Sequence, residues 1–416
     1  MKKIVIIGGG AAGWLTALIV NKFWKNTEVT LIESSKIGIL GAGEGSTPNF
    51  GFFLSKLGIN HDDFFNETNA TVKNGLHMQN WTGDNTNLYH MFTGQPPEMT
   101  SSMKNLGYHF DAKLVAKFFK KIALERRVNW IDDEVSKINN LNENITSIEL
   151  KGGDVIDLDL IFDCSGFARV TSNAINNQEW ESYSEYLLVN KALGFFLPQK
   201  NKYTINDNTL TKVTAMDYGW LFSIPLQHRW GCGYAFNDTY TSVENVKKEI
   251  ENHLGHEIEI QKVFDFNPGT FKRSWIGNSI SLGLAYSFIE PLEATSLMTT
   301  IMQLRKLIEI DFNEEYKENY NTLCYETNEQ NSIFIRYHYL NEKLDTPFWK
   351  DAYNMPIQPK LKKILDDNNY LIPTNDIELA NFMELKELSY TQLPFYLNNY
   401  RTIYVKNKKS LKKEII

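Results

Sequence analysis

The stretch Met1–Ser34, MKKIVIIGGGAAGWLTALIVNKFWKNTEVTLIES, decides the fold. Ile4-Val5-Ile6-Ile7 is short, apolar and β-branched, as a strand buried on both faces should be. Gly8, Gly10 and Gly13 then spell G-x-G-x-x-G, and the run Ala11 to Trp24 reads as a helix. A second apolar run, Val29 to Ile32, ends at Glu33, twenty residues after Gly13. The first glycine allows the tight turn, the second lets backbone approach a pyrophosphate, and the third lets helix and strand pack closely. Free N–H groups at the helix start suit the phosphates, and Glu33 suits the ribose hydroxyls. Strand, turn, helix, strand and acid together point to a dinucleotide-binding α/β domain.

Composition sets broad limits. The 416 residues are enough for two or three domains or one large composite, with 42% hydrophobic and 22% charged residues. A net charge of −7 argues against a nucleic-acid or anionic-membrane partner. The Lys-rich run Lys406 to Lys413 reads as a solvated terminus. Cys164, Cys232 and Cys324 show neither C-x-x-C nor metal-ligand spacing, which fits a reducing compartment, and no metal site is expected. The apolar run after Lys2-Lys3 is too short for a signal peptide, and no stretch approaches the ~20 apolar residues of a span. A cytoplasmic protein is expected.

After Glu33, Gly41 to Asn49 holds three glycines, small residues and a proline, and reads as a strap whose backbone can touch a ligand. Leu114, Val115, Phe118, Phe119, Ile122 and Ala123 repeat at helical spacing. Ile161 to Gly166 reads as a late strand returning to the first sheet. Residues 171–269 alternate and break into turns, such as Gln199 to Asn208, as an antiparallel sheet on the substrate side would. The expected layout is a discontinuous dinucleotide-binding domain (1–170 and 270–310), this β-sheet region, and a mostly helical C-terminal region (311–416) with a polar break at Asp366 to Asn369. Read in isolation, Lys73 is a solvated lysine, His90 a packed histidine between aromatics, and Glu293 an acid at a helix start beside Thr295.

Taken together, the motifs resemble the flavin-dependent halogenases of the tryptophan-halogenase type. The resemblance is carried by G-x-G-x-x-G at Gly8 to Gly13, G-E-G-S-T-P at Gly43 to Pro48, and H-F-D-A at His109 to Ala112. It continues in D-C-S-G-F at Asp163 to Phe167 and F-I-E-P-L-E-A-T-S at Phe288 to Ser296. It is collinear from Lys2 to about residue 345. The implied fold is a flavin-monooxygenase-like Rossmann-type domain with an inserted antiparallel sheet and C-terminal helices.

The resemblance assigns Lys73 and Glu293 as catalytic residues, and Thr295 and Ser296 as halide-binding through backbone N–H groups. It puts His90 and Phe92 beside the substrate. Gly8, Gly10, Ala12, Gly13, Glu33, Gly45, Ser46, Val128, Asp163, Leu284 and Leu297 would contact FAD. Trp220 and Phe222 fall on a W-x-W-x-I-P block that helps exclude monooxygenase chemistry. Three residues depart from the family pattern: Phe222 for tryptophan, Ala294 for serine and Ser296 for glycine. The last raises the question of a glycine-only backbone conformation at the halide turn.

The implied reaction uses FAD as FADH2 with O2. A C4a-hydroperoxide oxidises chloride, bromide or iodide to hypohalous acid, which Lys73 and Glu293 deliver to an indole or phenol type aromatic. Lys73 could hydrogen-bond the oxidant or form a haloamine, and a Lys73–Glu293 pair would hold each member charged. With no second dinucleotide fingerprint, a separate flavin reductase is expected to supply FADH2, the other partner being a small aromatic substrate. The sequence indicates no oligomeric state. Two other classes remain open at this level: an FAD-dependent aromatic monooxygenase (hydroxylase), which usually carries Gly-Asp where this chain has Gly283-Leu284, and a non-catalytic flavoprotein.

Overall fold

The computed structural model describes residues 1–38, 41, 44–83, 87–92, 106–175, 179–199, 209–341 and 343–367. Gly43 of the strap, most of the turn-rich stretch after Gln199, the break from residue 368 and the lysine-rich run lie outside the described residues.

Ile4, Ile6 and Leu31 face one side of a six-stranded sheet and pack on Trp14, Leu15 and Leu18 of the helix Ala11–Phe23. Val5, Ile7 and Ile32 face the other side and pack on Ile145 and Ile148. The latter belong to a three-stranded antiparallel sheet, Val135–Leu141, Asn144–Leu150 and Val155–Asp157. Lys2–Ile7 is central, parallel to Thr27–Glu33 on one side and Leu160–Asp163 on the other. The strand Ser279–Ser281 extends the sheet beyond Leu160–Asp163. Registers Ile7↔Ile32 and Ile7↔Asp163 bring the glycine turn, Glu33 and Asp163 out together at the strands' carboxyl ends, where open α/β sheets bind ligands.

The second large sheet has seven strands in the order Ile260–Asp265, Lys191–Pro198, Arg229–Phe236, Gly219–Pro225, Leu210–Ala215, Gly75–Gln79, Leu88–Met91. All neighbours are antiparallel except Leu210–Ala215 and Gly75–Gln79. The Phe222 ring reaches over Gly233, where an added Cβ would come within 2.3 Å of it. Trp81, Trp220, Tyr339 and Trp349 form an aromatic core between this sheet and the C-terminal helices. The 22-residue helix Lys317–His338 runs into that core.

Trp349 donates its indole N–H to the buried Met216 carbonyl at 2.6 Å and so fastens the helix Pro347–Asn354 to the sheet. Trp349→Phe keeps an aromatic ring but strands the carbonyl. A loss of about 1–3 kcal/mol is expected in denaturant unfolding, with secondary structure retained.

Candidate active site

The glycine turn is built for close approach. Gly8 has φ +105°, and a Cβ there would sit 2.3 Å from the Cys164 carbonyl oxygen. A Cβ on Gly13 would lie 1.9 Å from the Gly8 oxygen. Gly10 differs: its Cβ would meet nothing within 4 Å, and it opens a helix whose start has no side-chain cap and no acidic residue. This open, electropositive turn fits a pyrophosphate. The Glu33 carboxylate lies against Gly9 and is paired with Lys120 Nζ at 2.8 Å. Ala12 borders Gly283, and Val128 is buried behind the helix Ala112–Glu125. Asp163 accepts four hydrogen bonds, from the backbone and hydroxyls of Ser165 and Thr171. Its carboxylate therefore organises the turn that follows. Leu284 stands on the 3-10 turn Gly283–Ala285, and Leu297 is buried in the first turn of the helix Thr295–Glu309.

A three-stranded sheet joins this region to the lysine. Glu44–Gly45 and Thr71–Lys73 flank Gly107–Phe110, so Gly45 and Lys73 meet across the central strand. A Cβ on Gly45 would lie 2.8 Å from Lys73 Nζ; the strap's glycine gives the amine its lane. Ser46 is locked to Tyr108 by two hydrogen bonds. Lys73 is buried, with Nζ 5.5 Å from the Phe92 ring centroid. Burial pushes its pKa down to about 8, against the opposing pull of Glu293. Behind it, His109 is held well below its ordinary pKa by burial and then by Lys73. Thr71 donates to the Pro225 carbonyl, so its oxygen can accept from His109 Nδ1, while Thr211 faces Nε2.

Glu293 is not a capping acid. It and Ala294 adopt left-handed backbone (φ 66° and 56°), which costs about 1–3 kcal/mol per residue. The turn swings the carboxylate off the helix start, where Ala294 as N-cap leaves the amides without a side-chain partner. Glu293 Oε1 instead accepts from His90 Nδ1 at 2.8 Å and His338 Nε2 at 2.9 Å. Burial favours the neutral acid, but the two histidines outweigh it and bring the pKa below its ordinary value. Glu293 attracts the Lys73 ammonium through space, while the hydrogen bonds to its carboxylate come from the two histidines. Thr295 and Ser296 are the first two residues of their helix. Ser296 has no positive φ, so serine fits the turn without strain.

The sequence reading did not single out His338 or Phe334, whose ring packs on both His90 and His338. Their i, i+4 spacing at the end of a long helix was the available signal. One residue on, the Tyr339 hydroxyl donates to Glu290 and receives the Trp220 indole N–H. Burial raises Glu290 to about 8, against that hydrogen bond.

Residues 3–104 and 93–369 match the tryptophan halogenase family. The chain belongs to that family. It is a flavin-dependent halogenase acting on an aromatic substrate, and the hydroxylase reading falls away. The tryptophan 7-halogenase RebH of Lentzea aerocolonigenes is 27% identical over 88% of this chain and 81% of its own length. The tryptophan 6-halogenase ThaL of Streptomyces albogriseolus is 25% identical, over 90% and 83% respectively. Among solved structures, the lanthipeptide tryptophan 5-halogenase MibH superposes with a TM-score of 0.87 at 22% identity, covering 98% of this chain and 86% of its own. BrvH, a flavin-dependent halogenase from Brevundimonas sp. BAL3, gives 0.84 at 24%, covering 98% and 90%. Among the described residues no helix is long and apolar enough to cross a membrane, and no cluster suits a metal ion.

Gly8→Ala and Gly10→Ala should separate folding from cofactor binding. Gly8→Ala forces a backbone clash and should lower the melting temperature. Gly10→Ala should melt like the parent yet weaken FAD binding at least about tenfold, read by flavin fluorescence quenching.

Proposed function

We propose that Lys73 and Glu293 carry the halogen transfer, with FAD held by the glycine turn and the halide by the N–H groups of Thr295 and Ser296. The observation behind this reading is the buried lysine against the strap's Gly45, with an acid turned away from the helix start. Gly8, Gly10, Ala12 and Gly13 would hold the pyrophosphate and Glu33 the ribose. Gly45, Ser46, Val128, Asp163, Leu284 and Leu297 would line the rest of the cofactor. The cofactor would occupy residues 1–170 and 270–310, facing a substrate side built from 171–269 and the helical region after 310. Reduced FAD, when bound, supplies with O2 the two-electron oxidation that converts halide to hypohalous acid.

The chain's own residues then confine and direct that acid. Lys73 hydrogen-bonds its oxygen in a site shielded from water, with Phe92 beside the amine. As the aromatic π pair takes the halogen, the O–X bond breaks and hydroxide leaves as water with a proton from Nζ. The cationic ring loses its displaced proton to Glu293, and the bonding pair returns to the ring. The sum is an aromatic C–H plus hypohalous acid giving C–X plus water. Passage of one proton from Glu293 to Lys73 resets the site. The substrate is an electron-rich indole or phenol type aromatic bordered by His90 and Phe92. A separate reductase supplies the reduced flavin.

A single-turnover reaction of FADH2, O2, halide and a panel of indoles and phenols should give a halide-dependent mass shift. Lys73→Ala should bind FAD normally and give none; retained product would remove Lys73 from the mechanism. Because Lys73 must be protonated, the rate should fall above about pH 8, and a flat profile well beyond that would contradict its role as proton donor. NADH without a reductase should support no turnover.

A further inference from the structure

Two protons are needed where His338 meets its neighbours. Nδ1 lies 2.8 Å from the Phe334 carbonyl oxygen, which can only accept, so Nδ1 carries hydrogen. Nε2 lies 2.9 Å from Glu293 Oε1, and one further proton bridges that contact. An imidazole is about two pH units more basic than a carboxyl in water, and Oε1 already takes the His90 Nδ1 hydrogen bond. Both facts put the bridging proton on Nε2. Both histidines bond Oε1, while Oε2 accepts no hydrogen bond from any described residue. The peptide carbonyl of His338 is itself fixed by the Trp81 indole N–H at 2.8 Å, so the ring's position is set by the aromatic core.

We propose that His338 is a positioning residue: held as an imidazolium between Phe334 O and Glu293 Oε1, it keeps Glu293 ionised and reserves Oε2 to take the proton from the halogenated ring. The proposal rests on the reading of Glu293 as the base. Facing the pair are Lys73 from Thr71–Lys73, His90 from Leu88–Met91, and Glu290 with Tyr339 across the same turn. Lys73 favours the carboxylate by its charge. Glu290 is bonded by Tyr339, so the second acid of this turn is spoken for elsewhere.

The test uses the FAD-loaded protein labelled with 15N-histidine, together with single-turnover halogenation against pH. At neutral pH the His338 ring, identified by its loss in His338→Gln, should show both nitrogens protonated, and Glu293→Gln should return it to the neutral form. In His338→Gln the acid limb of the rate profile should move up by about 1–3 pH units, because the base loses its cation. A neutral His338 ring in the parent protein overturns the proposal. So does an unmoved acid limb in a His338→Gln variant that is merely less stable. If His338→Gln does not fold, His90→Gln identifies the other histidine bonded to Glu293, and the parent and Glu293→Gln spectra decide alone. Absence of any halide-dependent product from the parent protein would instead count against the proposed function, leaving the ring's protonation state as a separate result.

Discussion

A carboxylate buried in protein is tolerated only when charge and hydrogen bonds replace the water it has lost. Glu293 meets that constraint with two histidines on one oxygen, and they come from distant parts of the chain. His90 belongs to an edge strand of the seven-stranded sheet, and His338 ends the long C-terminal helix. The single oxygen therefore ties the sheet, the start of the helix Thr295–Glu309 and the C-terminal helix to one point. The same bonds hold the left-handed turn at Glu293 and Ala294 against its own strain, and that turn keeps the acid away from the helix amides. Uncapped helix amides and a buried carboxylate can then sit side by side without neutralising each other.

The lysine is placed by a different device. Its strand pairs with Gly107–Phe110, which also pairs with the strap, so the strap's Gly45 comes up against the amine. His109, two residues along the paired strand from Lys73's partner Gly107, is kept neutral by burial and by the lysine itself, which avoids a second fixed cation beside an already destabilised ammonium. Consecutive residues at the helix end then serve two acids of one motif: His338 bonds Glu293 and Tyr339 bonds Glu290. The Trp220 indole, expected to guard the chemistry, is fully buried and props Tyr339. Phe222 fills the space over Gly233 that the sheet leaves for a ring.

The amino-acid sequence by itself determined the nucleotide half. Ile4 to Ile7, the glycine spacing and Glu33 are local signals, because a turn, a helix start and a strand end are set by neighbours in the chain. The motif Phe288 to Ser296 likewise drew attention to Glu293 and the helix start that follows it. Tertiary structure decided the rest. Only packing could show that Glu293 turns toward histidines 203 and 45 residues away rather than toward Lys73 or the helix it precedes. Only packing could show that Asp163 is taken up by its own turn, or that Ser296 sits in ordinary helical backbone. The physical reason is one of range: backbone conformation is written in adjacent residues, whereas the charge of a buried group depends on which distant side chains the fold brings to it.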